Sequence, residues 1–442
     1  MTRRYPAYKD SGVEWLGEVP EGWRLSQLKH VCKFQTGWTP PTGDADSYIG
    51  ENLWANISDL GQAVIYDTAK RLSGEAIERH GIASCPVGSL LFSFKLSIGQ
   101  VSFAGREMYT NEAIATFLPS PNIDLRFAFY AFPEMVVRNA SENIYGAKML
   151  NQQLINSAML LVPTLLEQTA IAAFLDRETA KIDALAAEQR RLIDLLREKR
   201  QAVISHAVTR GLNPNVTLKP SGVDWLGDVP EEWMVRTISS LSTKITNGYV
   251  GPTRDILRDD GVRYLQSLHI KRNRIVFNKP YFVDEAWSNC HEKSILKRGD
   301  VLIVQTGDIG QVAVVPGEFE NCNCHALIIV SPVHDTISGD WLSWVLTSSY
   351  GQQSLRSIQT GALHPHLNCG NVKFLAIPVP TLSEQSEIVN ALTRKLLGFD
   401  KLIYTAEAAI ALLQERRAAL ISAAVTGKID VRHLSAAATE AA

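Results

Sequence analysis

Apolar positions recur with a helical period over two long stretches of the chain, residues 167–209 and 384–426. In the first, Ile171, Leu185 and Leu192 fall at one heptad position, and Leu175, Ile182, Leu196 and Val203 at another. In the second, Ile388 and Leu402 repeat the first set, and Leu392, Phe399, Leu413 and Leu420 the second. Such stripes predict helices that bury one face against another helix. Polar Glu178, Gln189 and Lys199 interrupt the seam, as do Lys395 and Arg416, so a short helical pair is expected in place of a long uniform zipper. Each stretch opens on Val-Pro-Thr-Leu, at Val162 and at Val379, and proline suits the entry to a helix and nothing deeper in it. A helix of about 40 residues spans roughly 60 Å. Elsewhere the pattern shortens to runs such as residues 53–60 and 88–103, whose β-branched and aromatic content predicts strands.

The two helical stretches are copies of one another. Glu167-Gln168 returns as Glu384-Gln385, Asp183 as Asp400, and Arg200 as Arg417, each 217 residues on. A leader, Ser11-Gly12-Val13-Glu14-Trp15-Leu16-Gly17, returns 210 residues on as Ser221-Gly222-Val223-Asp224-Trp225-Leu226-Gly227. Ser97-Ile98-Gly99-Gln100-Val101 is echoed 211 residues on by Asp308-Ile309-Gly310-Gln311-Val312. Offsets this close mean that one unit of leader, variable region and long helix is duplicated. Trp15 and Trp225 are expected in the core of their leaders. The loops do not repeat: Thr36-Gly37-Trp38-Thr39-Pro40 faces Thr246-Asn247-Gly248-Tyr249-Val250, and Lys271-Arg272-Asn273-Arg274 has no basic counterpart. Recognition usually sits in loops on a rigid scaffold, so two related globules with different loops should read two different things.

At 442 residues, 45% hydrophobic and 20% charged, the chain has an ordinary globular composition with room for about three domains. No run is long and apolar enough for a membrane span, and the first residues lack the apolar core of a signal peptide, so a cytoplasmic protein is expected. The six cysteines follow no framework spacing. Cys322-Asn323-Cys324-His325 lacks a second pair of matching spacing, which favours buried strand cysteines over a metal site. A net charge of −2 gives no global footprint of a nucleic-acid binder, so any DNA surface must be local. There is no Gly-x-Gly-x-x-Gly, P-loop or His-Glu-x-x-His run to carry catalysis. Arg190, Arg191, Lys199, Arg200, Arg416 and Arg417 could lean on DNA or on a partner subunit, but read better as a solvated helix face.

Taken together, the chain resembles the specificity subunit of type I restriction-modification systems. The features that carry the resemblance are the leader Tyr8-Lys9-Asp10-Ser11-Gly12-Val13-Glu14-Trp15-Leu16-Gly17, the loop Thr36-Gly37-Trp38-Thr39-Pro40, and Asn111-Glu112-Ala113-Ile114-Ala115. To these are added Pro163-Thr164-Leu165-Leu166-Glu167-Gln168, its copy from Pro380, and the end from Leu413 to Asp430. The second globule departs most, with Cys324-His325-Ala326-Leu327 in place of the Asn-Glu-Ala-Ile type of run. The resemblance implies an α+β fold: two similar mixed α/β target-recognition domains separated by two long antiparallel helices that form a coiled-coil spacer, in a pseudo-twofold duplicated architecture. The corresponding bounds are residues 1–160 for the first recognition domain with its leader, 161–212 for the first helix, 213–378 for the second recognition domain, 379–432 for the second helix, and 433–442 for a flexible tail.

It also implies the partners: double-stranded DNA carrying a split site, two modification subunits and restriction subunits, with no membrane. S-adenosylmethionine, ATP and Mg are expected on those partner subunits and none on this chain, which would be reader and not catalyst, with no catalytic or metal-ligating residues of its own. For base and phosphate contacts the candidates are polar or basic residues of the unmatched loops: Gly37, Trp38, Thr39, Lys95, Ser97, Lys148 and Gln152 in the first globule. In the second they are Tyr249, Arg254, Gln266, His269, Lys271, Arg272, Arg274, Thr306 and His364. Arginine or lysine suits guanine and glutamine suits adenine, while further cations hold phosphates. The rival readings are a self-contained DNA methyltransferase or nuclease, and a coiled-coil adaptor without DNA affinity.

Overall fold

The computed structural model describes residues 3–142, 146–361 and 365–433, so the candidate His364 and the expected tail beyond residue 433 lie outside the described residues. The chain folds as two compact units. One comprises Met1–Glu188 with Ala409–Ala442, the other Gln189–Ala408. Among the described residues no helix is long and apolar enough to cross a membrane.

In the first unit, in chain order, lie β1 (Arg24–Gln27), β2 (Phe34–Thr36), β3 (Val64–Ile65), β4 (Leu90–Ser93), β5 (Val101–Ala104), β6 (Ile114–Phe117), α1 (Leu125–Met135), β7 (Met159–Val162) and the start of α2 (Leu165–Arg210). Strand β1 pairs antiparallel with β7, Leu25 opposite Leu161, which clasps the beginning of the globule to its end. Between them a five-stranded sheet runs in the order β2-β6-β4-β5-β3, antiparallel except where β3 joins β5. Strands β4 and β6 are buried along their whole length, Ser93 and Thr116 included, as their mostly apolar runs favour. Phe117 of β6 meets Phe132 of α1 at 4.7 Å between ring centroids, in a core that also takes Trp23, Phe92, and Ile171 and Leu175 of α2.

The second unit repeats the plan with β8 (Met234–Thr237), β9 (Ser242–Asn247), β10 (Ile270–Lys271), β11 (Arg274–Ile275), β12 (Val301–Val304), β13 (Val312–Val314), β14 (Leu327–Pro332), α3 (Gly339–Thr347), α4 (Ser349–Ser357), β15 (Ala376–Val379) and α5 (Leu382–Val425). Strands β8 and β15 form the clasp, Val235 opposite Pro378, and the sheet order is β9-β14-β12-β13. Trp341 of α3 is fully buried and donates from Nε1 to the Pro378 carbonyl at 2.9 Å.

The repeated Glu-Gln pair has a definite role at the head of each long helix. Glu167 accepts from the indole N–H of buried Trp23 at 3.4 Å, and Glu384 from that of Trp233 at 3.1 Å. Gln168 is fully buried: its oxygen accepts from the Asp124 N–H at 2.7 Å, and its amide donates to the Pro163 carbonyl at 3.0 Å. Gln385 makes the same bonds to the Ser338 N–H and the Pro380 carbonyl, at 2.9 and 3.0 Å. Each helix is thus locked to its globule by polar groups that a core would otherwise leave unpaired.

Helix α2 pairs with α5 within each unit. Asp183 and Arg417 meet at 3.0 Å in the first, and Arg200 and Asp400 at 3.6 Å in the second. These are the duplicated Asp and Arg positions, each copy's arginine against the other copy's aspartate, which fixes the pairing as antiparallel. The seam keeps one expected heptad set, since Leu175, Ile182, Leu196, Leu392 and Phe399 are buried, and departs from the other. Leu185, Leu192 and Leu402 are exposed, whereas Ile171, Ile182, Ile193 and Ile204, spaced by eleven, are buried, as are Ile388 and Phe399. Eleven residues at about 100° each close to within roughly 20° of three full turns, so this period keeps one stripe inside as well as seven does, with drift of the opposite sign. Two further expectations are corrected. Trp225 is 51% exposed and Trp15 only half-buried, and the leader-adjacent core residues are Trp23 and Trp233. The loop register also shifts by one. Gly37 matches Gly248 and Trp38 matches Tyr249, because the Trp38 and Tyr249 N–H groups make the same bond, to the Thr110 and Cys324 carbonyls, each at 2.9 Å.

Candidate nucleic-acid interface

In the first unit, the turn joining β4 to β5 faces the hairpin that carries Lys148 across a groove of about 960 Å³. Lys95, Ser97 and Lys148 line it together with Asn111 and Glu112. Glu112 lies 3.8 Å from the Lys95 ammonium and accepts a hydrogen bond from the Thr39 hydroxyl, so Thr39 is tied to the same rim. Gln152 is exposed and donates to the Thr36 hydroxyl at 3.1 Å. Gly37 and Trp38 serve the scaffold: a Cβ on Gly37 would collide with the Thr110 carbonyl, and the Trp38 ring stacks on His80 at 4.3 Å.

In the second unit the basic run forms a tight hairpin. Lys271 of β10 is opposite Arg274 of β11, and the two residues between them, Arg272 and Asn273, take left-handed φ of 50° and 63°. That conformation matches the right-handed twist of a two-residue hairpin. The Arg272 N–H donates to Gln311 of the repeated turn at 3.2 Å. The side chains of Lys271, Arg272 and Arg274 are exposed. Arg200, expected on a solvated helix face, instead lies largely buried beside this hairpin. Burial lowers its pKa most, Asp400 opposes that, and Arg272 and Arg274 lower it further. Arg200, Arg272, Gln311, Gln352 and Arg356 surround a cavity of about 590 Å³. The sequence offered a signal for Arg200 only through its recurrence as Arg417. Nothing in the pattern set Arg356 apart.

The remaining candidates are dispersed. Arg254 and Thr306 are exposed, in a loop and at the start of the repeated turn. Tyr249 is half-buried edge-on against Trp287 and His291, each at 5.0 Å, where Trp38 instead stacks on its histidine. Gln266 caps a short helical turn with His269. His269 is corrected outright: it is fully buried, its Nδ1 accepts from the Gln266 N–H at 2.9 Å, and its Nε2 meets the Lys279 carbonyl at 2.8 Å. Burial lowers its pKa, and with both nitrogens occupied it has nothing left to offer a base.

Comparison with known proteins bears directly on this arrangement. The family model for the type I restriction modification DNA specificity domain matches twice, at residues 20–193 and 230–405. The chain belongs to this family. Each match takes in one globule and the first part of the long helix that follows, so it covers the duplicated unit without its leader and helix end. Among relatives of this specificity family, the EcoBI specificity subunit of Escherichia coli is 24% identical over 70% of this chain and 66% of its own length. A putative specificity subunit, MjaX, from Methanocaldococcus jannaschii is 23% identical over 94% of this chain and 96% of its own. A solved chain from a study of type I R-M complex assembly and conformational transition superposes with a TM-score of 0.69 at 15% identity, covering 92% of this chain and 98% of that one. The chain is a DNA-recognition subunit of a type I system, and catalysis is the task of other subunits.

Proposed function

We propose that this specificity subunit reads a bipartite, asymmetric DNA site, one half by each unit. The first unit contacts its half through Lys95, Ser97 and Lys148, with Thr39 and Gln152 at the rim. The second uses Lys271, Arg272 and Arg274 with Thr306 and Arg254. The chain docks two modification subunits, which bring S-adenosylmethionine and methyl transfer, and works in the cytoplasm with restriction subunits that use ATP and Mg. No cofactor is assigned to this chain itself.

The observation that carries this reading is a repeated scaffold with unrepeated edges. The two sheets share their strand order around β4 and β12, yet the residues on the turns and hairpins beside them differ in charge and size. A scaffold that repeats while its loops change is suited to reading two unlike sequences. The test is to exchange residues 30–150 for the same region of a relative and map methylated motifs in the presence of the modification subunits. One half of the motif should change and the other stay fixed. A change in both halves would sink the assignment of one reader to each half.

A further inference from the structure

The turn after β4 and its copy after β12 are built alike. In the first, the Gly99 N–H donates to the Ser93 carbonyl and the Ser93 N–H to the Gln100 carbonyl, both at 2.9 Å. In the second, 211 residues on, Gly310 donates to Val304 at 3.1 Å and Val304 to Gln311 at 2.9 Å. Both turns pass through left-handed backbone. The second places Gly307 there, at φ 79°, and glycine is the residue that conformation favours. The first places Leu96 at φ 45°, followed by Ser97 at φ 37°. A side chain with a Cβ is disfavoured in this region, and a leucine strongly so. Ser93 supplies a clamp that Val304 lacks: its hydroxyl donates to the Ser97 carbonyl at 2.6 Å and accepts from the Gln100 N–H at 3.0 Å.

Leu96 gains no burial in return for that strain. It is 80% exposed, the most solvated large apolar side chain but one among the described residues, and it lines the groove together with Lys95 and Lys148. Strain held in place by a dedicated clamp, with no packing to justify it, places the benefit of the side chain outside the chain. We propose that Leu96 reads the C5-methyl group of a thymine in the half-site contacted by the first unit, an inference that rests on the DNA-reading assignment above. In the major groove the thymine methyl is the one apolar group on the base edges, and an aliphatic side chain flanked by cations meets it while the cations hold phosphates or base acceptors.

The experiment uses the full chain with its modification subunits, which first selects its site from a randomised duplex library. Binding is then measured with each thymine replaced in turn by deoxyuridine, which removes only the methyl. One such replacement in the first unit's half-site should weaken wild-type binding roughly fourfold, the effect of burying one methyl group. L96G should bind the intact site about tenfold more weakly or worse, and be indifferent to that same replacement. Its thermal unfolding midpoint should hold or rise, since glycine suits the turn, and base preferences in the other half-site should stay as they are. L96G binding like wild type overturns the inference, and so does a loss in L96G without a deoxyuridine effect at any thymine. A lowered midpoint overturns it too, by showing that Leu96 serves the fold. A wild-type complex that selects no sequence overturns the DNA-reading assignment itself, and this inference with it.

Discussion

At the scale of single residues, the duplicated glutamines show how little of a motif's meaning lies in its repetition. Gln168 and Gln385 recur with the glutamates before them, and recurrence alone is compatible with a surface signature. Their burial and their paired bonds to a backbone N–H and a proline carbonyl make them the joints between globule and helix. Replacing Gln168 by Leu would keep the volume and leave the Asp124 N–H and Pro163 carbonyl without that partner. An unsatisfied buried group costs about 1–3 kcal/mol, so Q168L should lose roughly 2–4 kcal/mol in urea unfolding, and Q385L a similar amount. A midpoint shift no larger than that of an exposed substitution would show the amides to be dispensable. Gly37 carries the same lesson. The sequence placed it in a reading loop, but whether a glycine is there for contact or for clearance depends on what faces it, and Thr110 is far away in the chain.

At the scale of elements, both long helices were legible because hydrophobic period and length agree there, and the strands only in part: the run 88–103 holds Leu90–Ser93 and Val101–Ala104, but 53–60 is strand only at Asn52–Ala55 and turns helical at Ile57–Asp59. The helices, Leu165–Arg210 and Leu382–Val425, fall within two residues of the periodic stretches 167–209 and 384–426, inside the wider segments 161–212 and 379–432. The side of the helix that turns inward was legible only in part: Leu175, Ile182, Leu196, Leu392 and Phe399 are buried as expected, whereas Leu185, Leu192 and Leu402 meet water. Seven- and eleven-residue stripes both return to nearly the same face, and with leucines and isoleucines on adjacent positions the sequence supports either. The neighbours Leu192 and Ile193 separate the two cases, since the first is 44% exposed and the second 5%. I193D would bury an unpaired carboxylate and should cost about 3 kcal/mol or more. L192D should cost about 1 kcal/mol or less, because its side chain already meets water. The comparison is made by thermal unfolding of the two variants side by side. The reverse order of damage would restore the heptad seam.

At the scale of the whole molecule, duplication was the most legible feature, since an offset of 210 to 217 residues runs through leader, sheet and helix alike. The candidate interface was legible only in part. Lys148 joins Lys95 and Ser97 although it is distant from them in sequence, and His269 drops into the interior, because polarity marks a side chain without saying which way its backbone turns it. With a net charge of −2 there is no overall field to draw the chain to DNA, so affinity must come from local cations. The hairpin of Lys271, Arg272 and Arg274 is the densest such group and is exposed. It also stands close enough to Arg200 that Arg272 and Arg274 disfavour the charged form of that buried side chain. Cations crowded together against mutual repulsion are stabilised when an anion arrives, and a phosphate does this while releasing counterions. Replacing all three by Ala should therefore leave thermal stability unchanged or slightly higher, because repulsion on Arg200 is relieved. DNA binding by the complex with modification subunits should weaken about tenfold or more, and the slope of log affinity against log salt should flatten by about 2 to 3, close to 0.9 per lost phosphate contact. The preferred sequence should not change, since phosphate contacts carry position and not base identity. A titration of affinity between low and moderate salt decides it. An unchanged slope would turn the hairpin away from DNA, and a flattened slope with altered base preference would make at least one of these side chains a reader of bases.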